Sequence, residues 1–208
     1  MVRALALASF SVLLAAPALA AQEKPAFIPK QEVLADFAAC VFKANPERTR
    51  ALLATEIDSS DERSLATSLM VSQTQCTGGR AFVSMNTGEA RGALAEAVLK
   101  SDASLVQSVQ LLEPEAITRP TETVGRKFVM AYSRCLVSAA PDKARGLIIT
   151  DHGSGEENSA MMAFGEALKD CMPLGFAYNI NIRDVRNHVA AALYDRAMAS
   201  PVGGDLNA

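Results

Sequence analysis

The sequence repeats itself after 95 residues, and this repeat limits the possible folds more than any other feature of the chain. Identical residues recur at that spacing, without a gap, in the pairs Cys40 and Cys135, Cys76 and Cys171, Pro46 and Pro141, Arg50 and Arg145, and Arg91 and Arg186. Periods of roughly 20–50 residues usually indicate solenoids, whereas this longer period indicates a duplicated small domain. We therefore predict two tandem pseudo-symmetric units at residues 21–100 and 126–199, a connecting segment at 101–125 and a flexible tail at 200–208.

Each unit has the pattern of about four helices. Apolar residues at spacing i, i+1, i+4, i+7, i+8 and i+11 mark one face of its first helix. They are Val33, Leu34, Phe37, Cys40, Val41 and Ala44 in the first unit, and Phe128, Val129, Tyr132, Cys135, Leu136 and Ala139 in the second. The chain has no Trp and only 5% aromatic residues, a composition that favours helices over strands. The predicted fold class is all-α.

Proline and cap residues place the ends of these helices. Pro46 and Pro141 should each open a second, short helix, because proline is tolerated at the first helical position. Asn45 is a favourable N-cap for that helix, whereas Ala140, its counterpart, is a poor one.

The third and fourth helices are marked by further caps. Two capping boxes, Ser59-x-x-Glu62 and Ser154-x-x-Glu157, predict the start of a third helix that ends near Cys76 or Cys171. Asn86 precedes a fourth helix, and the stretches Ala81–Met85 and Phe176–Ile180 before it could be extended.

The four cysteines predict two disulfides. Three pairings exist: within each unit, crosswise between units, or like to like. Pairing within each unit is favoured, because a duplicated domain was first stable as a single copy and because this pairing closes the shorter loops. It joins Cys40 to Cys76 and Cys135 to Cys171. Redox and zinc sites usually contain C-x-x-C, which is absent here, so a structural role is preferred.

The N-terminus predicts export. Arg3 precedes an apolar run and the small-residue pattern Ala18-Leu19-Ala20, which together are typical of a secretory signal peptide at residues 1–20. The run is too short to span a bilayer, which needs about 20 residues. We predict a periplasmic or secreted protein without a membrane span in the mature chain.

The charge pattern argues against nucleic acid as a partner. The formal net charge is −3, and no basic run occurs, whereas phosphate binding needs clustered Lys and Arg. The expected partner is an unknown protein or a small ligand of the cell envelope.

The sequence contains no recognisable catalytic motif. It lacks the G-x-S-x-G, S-x-x-K, H-E-x-x-H and P-loop patterns. We interpret His152 as a solvated loop residue and His188 as a boundary residue of the fourth helix. The acidic run at 56–62 lacks the glycine and the length of a calcium loop. No catalytic residue, cofactor or metal ligand is assigned.

Two arginines retained in both units have a predicted role. Arg91 and Arg186 lie early in the fourth helix, where the helix macrodipole disfavours a positive charge. Their retention predicts ion pairs with Glu62 and Glu157 of their own units. Recognition of a ligand anion is the alternative, since arginine also binds anions in a bidentate manner.

These observations favour a non-catalytic binding or interaction module, with its contact surface at the junction of the two units. The alternatives are an enzyme with an unrecognised site and a purely structural or stress-tolerance envelope protein.

Overall fold

The computed structural model of the chain describes residues 29–79, 85–110, 116–175 and 182–200. The predicted signal peptide, most of the stretch Ala81–Met85, the stretch Phe176–Ile180 and the tail after residue 200 lie outside the described residues.

The described ranges are all-helical and contain no strand. Their α-helices are α1 Lys30–Ala44, α2 Pro46–Leu53, α3 Ser60–Ser72, α4 Thr87–Ser101, α5 Ala103–Gln110, α6 Gly125–Ala139, α7 Pro141–Ile148, α8 Gly155–Met162, α9 Gly165–Asp170 and α10 Ile182–Met198. A 3₁₀-helix, Thr74–Thr77, follows α3. The third helix of the second half is therefore split into α8 and α9, where a single helix was predicted.

The predicted helix starts are found, with two differences at their caps. Pro46 and Pro141 open α2 and α7, but the side chain of Asn45 makes no capping hydrogen bond, so its assignment as an N-cap of this kind is wrong. The hydroxyl of Ser59 accepts a hydrogen bond from the backbone N–H of Glu62. The Glu62 carboxylate accepts the N–H of Asp58, not that of Ser59, because Asp58 has a positive φ of 67° that brings its N–H to the carboxylate.

Both disulfides form within their own halves, which confirms the predicted pairing. Cys40 of α1 is bonded to Cys76 of the 3₁₀-helix, with Cα atoms 5.5 Å apart. Cys135 of α6 is bonded to Cys171, directly after α9, with Cα atoms 5.7 Å apart. Each bond ties the first helix of its half to the end of the third helical region, so the short second helix is held inside the loop that the bond closes.

Helices α4 and α10 form the centre of the molecule. They make the most extensive contact of any helix pair, α1 packs on α4, and α6 packs on α10. The buried apolar residues of both halves belong to one continuous core cluster, which includes Leu94 of α4 and Leu193 of α10. The described chain therefore has one shared core.

The crossing of α4 and α10 depends on Gly92. A Cβ atom built on Gly92 would lie 2.6 Å from the Cβ of Asn187 and closer still to its carbonyl oxygen. Backbone atoms cannot move aside as a flexible side chain can. Glycine at position 92 therefore permits a close contact between α4 and α10 that any other residue would prevent.

We expect Gly92→Ala to destabilise the protein by about 1–3 kcal/mol, the usual cost of overpacking a tight contact. Gly146 of α7 is the matched control, because a Cβ there meets no atom within 4 Å, and Gly146→Ala should be neutral or stabilising by up to about 1 kcal/mol. Urea unfolding of both variants measures the difference. Equal stability of the two variants would contradict the close approach.

Candidate functional site

The first retained arginine holds two helices together. Arg91 donates from Nη1 to the carbonyl oxygen of Leu52 at 3.1 Å and lies 3.3 Å from Glu62 Oε1. It also donates to the carbonyl of Leu53. Its partners are thus the C-terminal carbonyls of α2, which attract positive charge, and the first turn of α3. Its Nη2 also lies 4.0 Å from Asp195 Oδ1 of α10. Arg91 is 3% exposed.

The second retained arginine makes the equivalent contacts in the other half. Arg186 donates to the carbonyl oxygens of Ile148 at 3.4 Å and Thr150 at 2.7 Å. Its Nη1 lies 2.7 Å from Glu157 Oε1. The structure therefore brings Arg91 to Glu62 and Arg186 to Glu157. Both arginines are buried, and their guanidinium groups contact these carboxylates and carbonyl oxygens.

Arg186 also binds a carboxylate that the repeat does not predict. Its Nε and Nη2 donate to the two oxygens of Glu96 at 3.0 and 2.8 Å. Lys100 Nζ and His152 Nε2 lie 2.9 and 3.1 Å from Glu96 Oε1. Glu96 is 3% exposed, and this buried charge network links α4 to the second half of the chain. The residue 95 positions later is Ala191, so the repeat gave no signal for it.

The interpretation of His152 as a solvated loop residue is wrong. Its side chain is 9% exposed, and its Nδ1 is buried without a hydrogen-bond partner in the described chain. The loop before α8 folds back over α4, which no local pattern reveals. His188 is half-buried at the edge of α10, and burial lowers the pKa of its imidazole.

The network changes the acidity of Glu96. Burial desolvates this carboxylate and by itself would raise its pKa, but hydrogen bonds from His152 and Arg186 and the positive charge of Arg186 outweigh that cost. The pKa of Glu96 therefore lies well below its ordinary value of 4.5. Because the folded state resists protonation, its stability should be complete above about pH 5 and should fall as the pH drops further.

We expect the free energy of unfolding to decrease by about 1.4 kcal/mol per pH unit for this group below pH 4.5. Glu96→Gln should flatten that dependence, because glutamine does not titrate. Urea titrations between pH 3 and pH 6 measure the slope for the variant and the unmodified chain. If the slope of stability against pH were the same in both proteins, the partners of Glu96 would not lower its pKa in the folded state.

A related cluster lies on the opposite side of the α4–α10 contact. Arg126 of α6 donates from Nη1 and Nη2 to the two oxygens of Glu62, both at 2.8 Å, and pairs with Asp58 at 2.8 Å. Burial acts to raise the pKa of the fully buried Glu62, and the hydrogen bonds from Arg126 and Asp58 bring it below its ordinary value. The position 95 residues before Arg126 is Gln31, which carries no charge.

A cleft opens where Gln31 stands. It has a volume of about 400 Å³ and lies between α1 and α4. The residues that line it from α1 are Gln31, Ala35, Ala39, Phe42 and Lys43. From α4 they are Ala93, Glu96, Ala97, Lys100 and Ser101. His152 and Asn187 complete it from the second half of the chain. Four alanines on the two facing helices leave the space that larger side chains would fill.

The corresponding groove between α6 and α10 is smaller, at about 220 Å³. Arg134 and Asp195 line it and form an ion pair at 3.0 Å. The residues 95 positions earlier, Ala39 and Lys100, line the larger cleft and form no such pair. The two grooves are built from matching positions, and an ion pair spans only one of them.

The chain matches no known protein family, no curated protein and no solved structure. None of the described helices combines the length and the apolar character needed to cross a membrane. The described residues also contain no group of three or more His, Cys, Asp or Glu side chains placed to hold a metal ion. The α1–α4 cleft is the candidate functional site because of its volume of about 400 Å³ and its mixed apolar and charged lining.

Proposed function

We propose that this protein is a non-catalytic binding protein of the cell envelope, and that its ligand site is the cleft between α1 and α4. The proposal rests on the volume of this cleft, about 400 Å³, and on the residue types that form its walls. Ligand pockets are typically about 300–1,000 Å³, with apolar walls and a few polar groups that fix orientation. Alanines and Phe42 supply the walls, and the polar groups are at the edges.

A side-chain amide in the cleft supports the proposal. Asn187 is 7% exposed and lines the cleft between α1 and α4. An amide carries both hydrogen-bond donors and an acceptor, so it can bind a polar group of a ligand in the cleft.

We infer that the cleft belongs to a junction between two pseudo-symmetric units. The starts of α1, α2, α3 and α4 recur 95 residues later in α6, α7, α8 and α10. Asp58 and Gly153, also 95 residues apart, share a positive φ of 67° and 74°. Gly92 and Asn187 have the same separation and touch each other, as equivalent positions do where a two-fold axis passes through a contact. In this arrangement, His152 and Asn187 of the second unit lie against α1 and α4 of the first unit.

The location in the envelope rests on the sequence and the disulfides. The first 20 residues have the pattern of a cleavable signal, and the two disulfides fit a protein of an oxidising compartment.

Isothermal titration with a set of small amphiphiles, n-octanoate, n-octanol and n-octylamine, tests the proposed site. We expect at least one to bind the unmodified protein and none to bind Ala39→Leu, because leucine fills the cleft. Arg134→Leu, at the matching position of the smaller groove, is the control and should bind as the unmodified protein does. Binding that survives Ala39→Leu, or no binding at all, would contradict the proposal.

The second candidate function is catalysis by His152. Its Nε2 lies 3.1 Å from Glu96 Oε1, an arrangement in which a carboxylate orients an imidazole and leaves Nδ1 as the basic atom. Because Nδ1 is buried, catalysis requires a movement that uncovers it. The Ser101 hydroxyl of the same cleft donates to the carbonyl of Val98 at 2.7 Å, so it is not activated by this histidine. Turnover of an ester or amide of a bound amphiphile that is lost in His152→Gln, with unchanged thermal stability, would favour the enzyme over the binding protein.

A further inference from the structure

We propose that the cleft selects a small monocarboxylate with an apolar body, held at its mouth by Lys43 and Lys100. This inference rests on the proposed function, because it names the ligand class of the same site. It follows from the direction of the two helices and from the charged side chains that line the cleft.

Helices α1 and α4 run side by side in the same direction. Lys30 and Glu89 pair at 2.6 Å near their starts, and their last turns carry Lys43 and Lys100, which both line the cleft. Lys43 is exposed and the Lys100 side chain is 37% exposed. Both lysines therefore lie at the end of the cleft where the two helices end, and solvent reaches both side chains.

The charges around the cleft leave a positive charge in excess. Glu96 and Glu157 are the carboxylates of the network, and Arg186 and Lys100 balance them through contacts of 2.7–2.9 Å. Lys43 has no ion-pair partner among the described residues. Lys43 therefore supplies a positive charge at the mouth that no described carboxylate pairs with, and this charge complements a ligand with a single negative charge.

The surroundings favour a carboxylate over a phosphate. Phosphates are typically bound by arginine forks or by the N-terminal N–H groups of helices. Here the helix ends at the mouth are C-terminal and carry partial negative charge, which disfavours a doubly charged group. A singly charged carboxylate meets the ammonium group of Lys43. It also meets the remaining donor of Lys100, whose Nζ already contacts Glu96 at 2.9 Å and donates to the carbonyl oxygen of Thr150 at 3.2 Å. The apolar body of the ligand lies along the four alanines of the cleft, Ala35, Ala39, Ala93 and Ala97.

A competing explanation is that both lysines only offset the helix macrodipoles, since both stand in the last turn of a helix. That role affects thermal stability, whereas ligand recognition affects the preference between a charged and an uncharged ligand of the same length. The two explanations therefore predict different measurements.

The test compares n-octanoate, n-octanol and n-octyl phosphate by isothermal titration. We expect octanoate to bind about tenfold more tightly than octanol, as for one charge-assisted hydrogen bond of about 1.4 kcal/mol. Lys43→Gln and Lys100→Gln should each reduce this ratio, and the double variant should bring it close to one. Lys127→Gln, an exposed lysine of α6 that does not line the cleft, should leave the ratio unchanged.

The outcomes separate this inference from the proposed function. If octanol binds as tightly as octanoate and Ala39→Leu abolishes both, the cleft is a binding site but the carboxylate assignment is wrong. Tighter binding of octyl phosphate would also overturn the assignment. A change in melting temperature of the lysine variants without a change in the ratio would support the macrodipole explanation instead. If no compound binds the cleft, the proposed function fails as well.

Discussion

Replacing Arg186 with methionine should destabilise the folded protein by about 3–5 kcal/mol, the usual effect of removing one partner from a buried ion pair. The guanidinium is 2% exposed and lies within hydrogen-bond distance of both Glu96 and Glu157. Without it, Glu96 keeps its contacts with Lys100 and His152, but Glu96 and Glu157 both lose the buried guanidinium that joins them. For a chain of this size the loss corresponds to a fall in melting temperature of roughly 6–20 °C.

Two further variants show whether the effect comes from the charge. Arg186→Lys keeps the charge but loses the planar fork that reaches several acceptors at once, so we expect an intermediate loss. Adding Glu96→Gln to Arg186→Met removes one of the two carboxylates that lost the guanidinium and should recover part of the stability. Thermal melts of the three variants measure these effects. If Arg186→Met had the same melting temperature as the unmodified protein, the charge network would not contribute to the stability of the fold.

Removing one disulfide should cost about 2–5 kcal/mol, typical of a native disulfide in a small exported domain. The double replacement Cys40→Ala with Cys76→Ala removes the bond without leaving a free thiol. The bond joins residues 36 positions apart, so its loss frees a loop of that length in the unfolded chain and raises the entropy of that state. The same change at Cys135 and Cys171, also 36 positions apart, should have a similar effect.

Denaturant unfolding of both double variants, with and without reductant, gives the measurement. Reductant should lower the stability of each double variant further, because one bond remains in it, and should lower that of the unmodified protein most. A double variant as stable as the unmodified protein would mean that its bond does not constrain the unfolded chain. Unequal losses would show that the shared core supports one half more than the other.

The helix starts and the cross-links could be predicted from the sequence because their causes are local or repeated. Pro46 can open a helix but cannot continue one, and its recurrence at Pro141 gives the same boundary twice. The disulfide pairing follows from the requirement that one unit be stable alone. Arg91 could be assigned to Glu62 because both residues recur together 95 positions later.

The positions where the two halves differ could not be interpreted in this way. Glu96 matches Ala191 and His152 matches Ile57, so neither is part of the repeated pattern. Their importance depends on which segment folds over which helix. Short polar loops such as the one that contains His152 are exposed in most proteins, and only packing against α4 buries this one.

The sequence by itself determined the helical class, the length of the repeat and the cysteine pairing, because each depends on residues within one repeat. The tertiary structure decided that both halves share one core and that Gly92 sets the approach of α4 to α10. It also decided that Ala39 lines the larger cleft, whereas an ion pair between Arg134 and Asp195 spans the smaller, matching groove. The physical reason is that contacts between the halves depend on the angle and distance at which two helices cross. Those quantities arise from the summed packing of many side chains and leave no periodic signal in the chain.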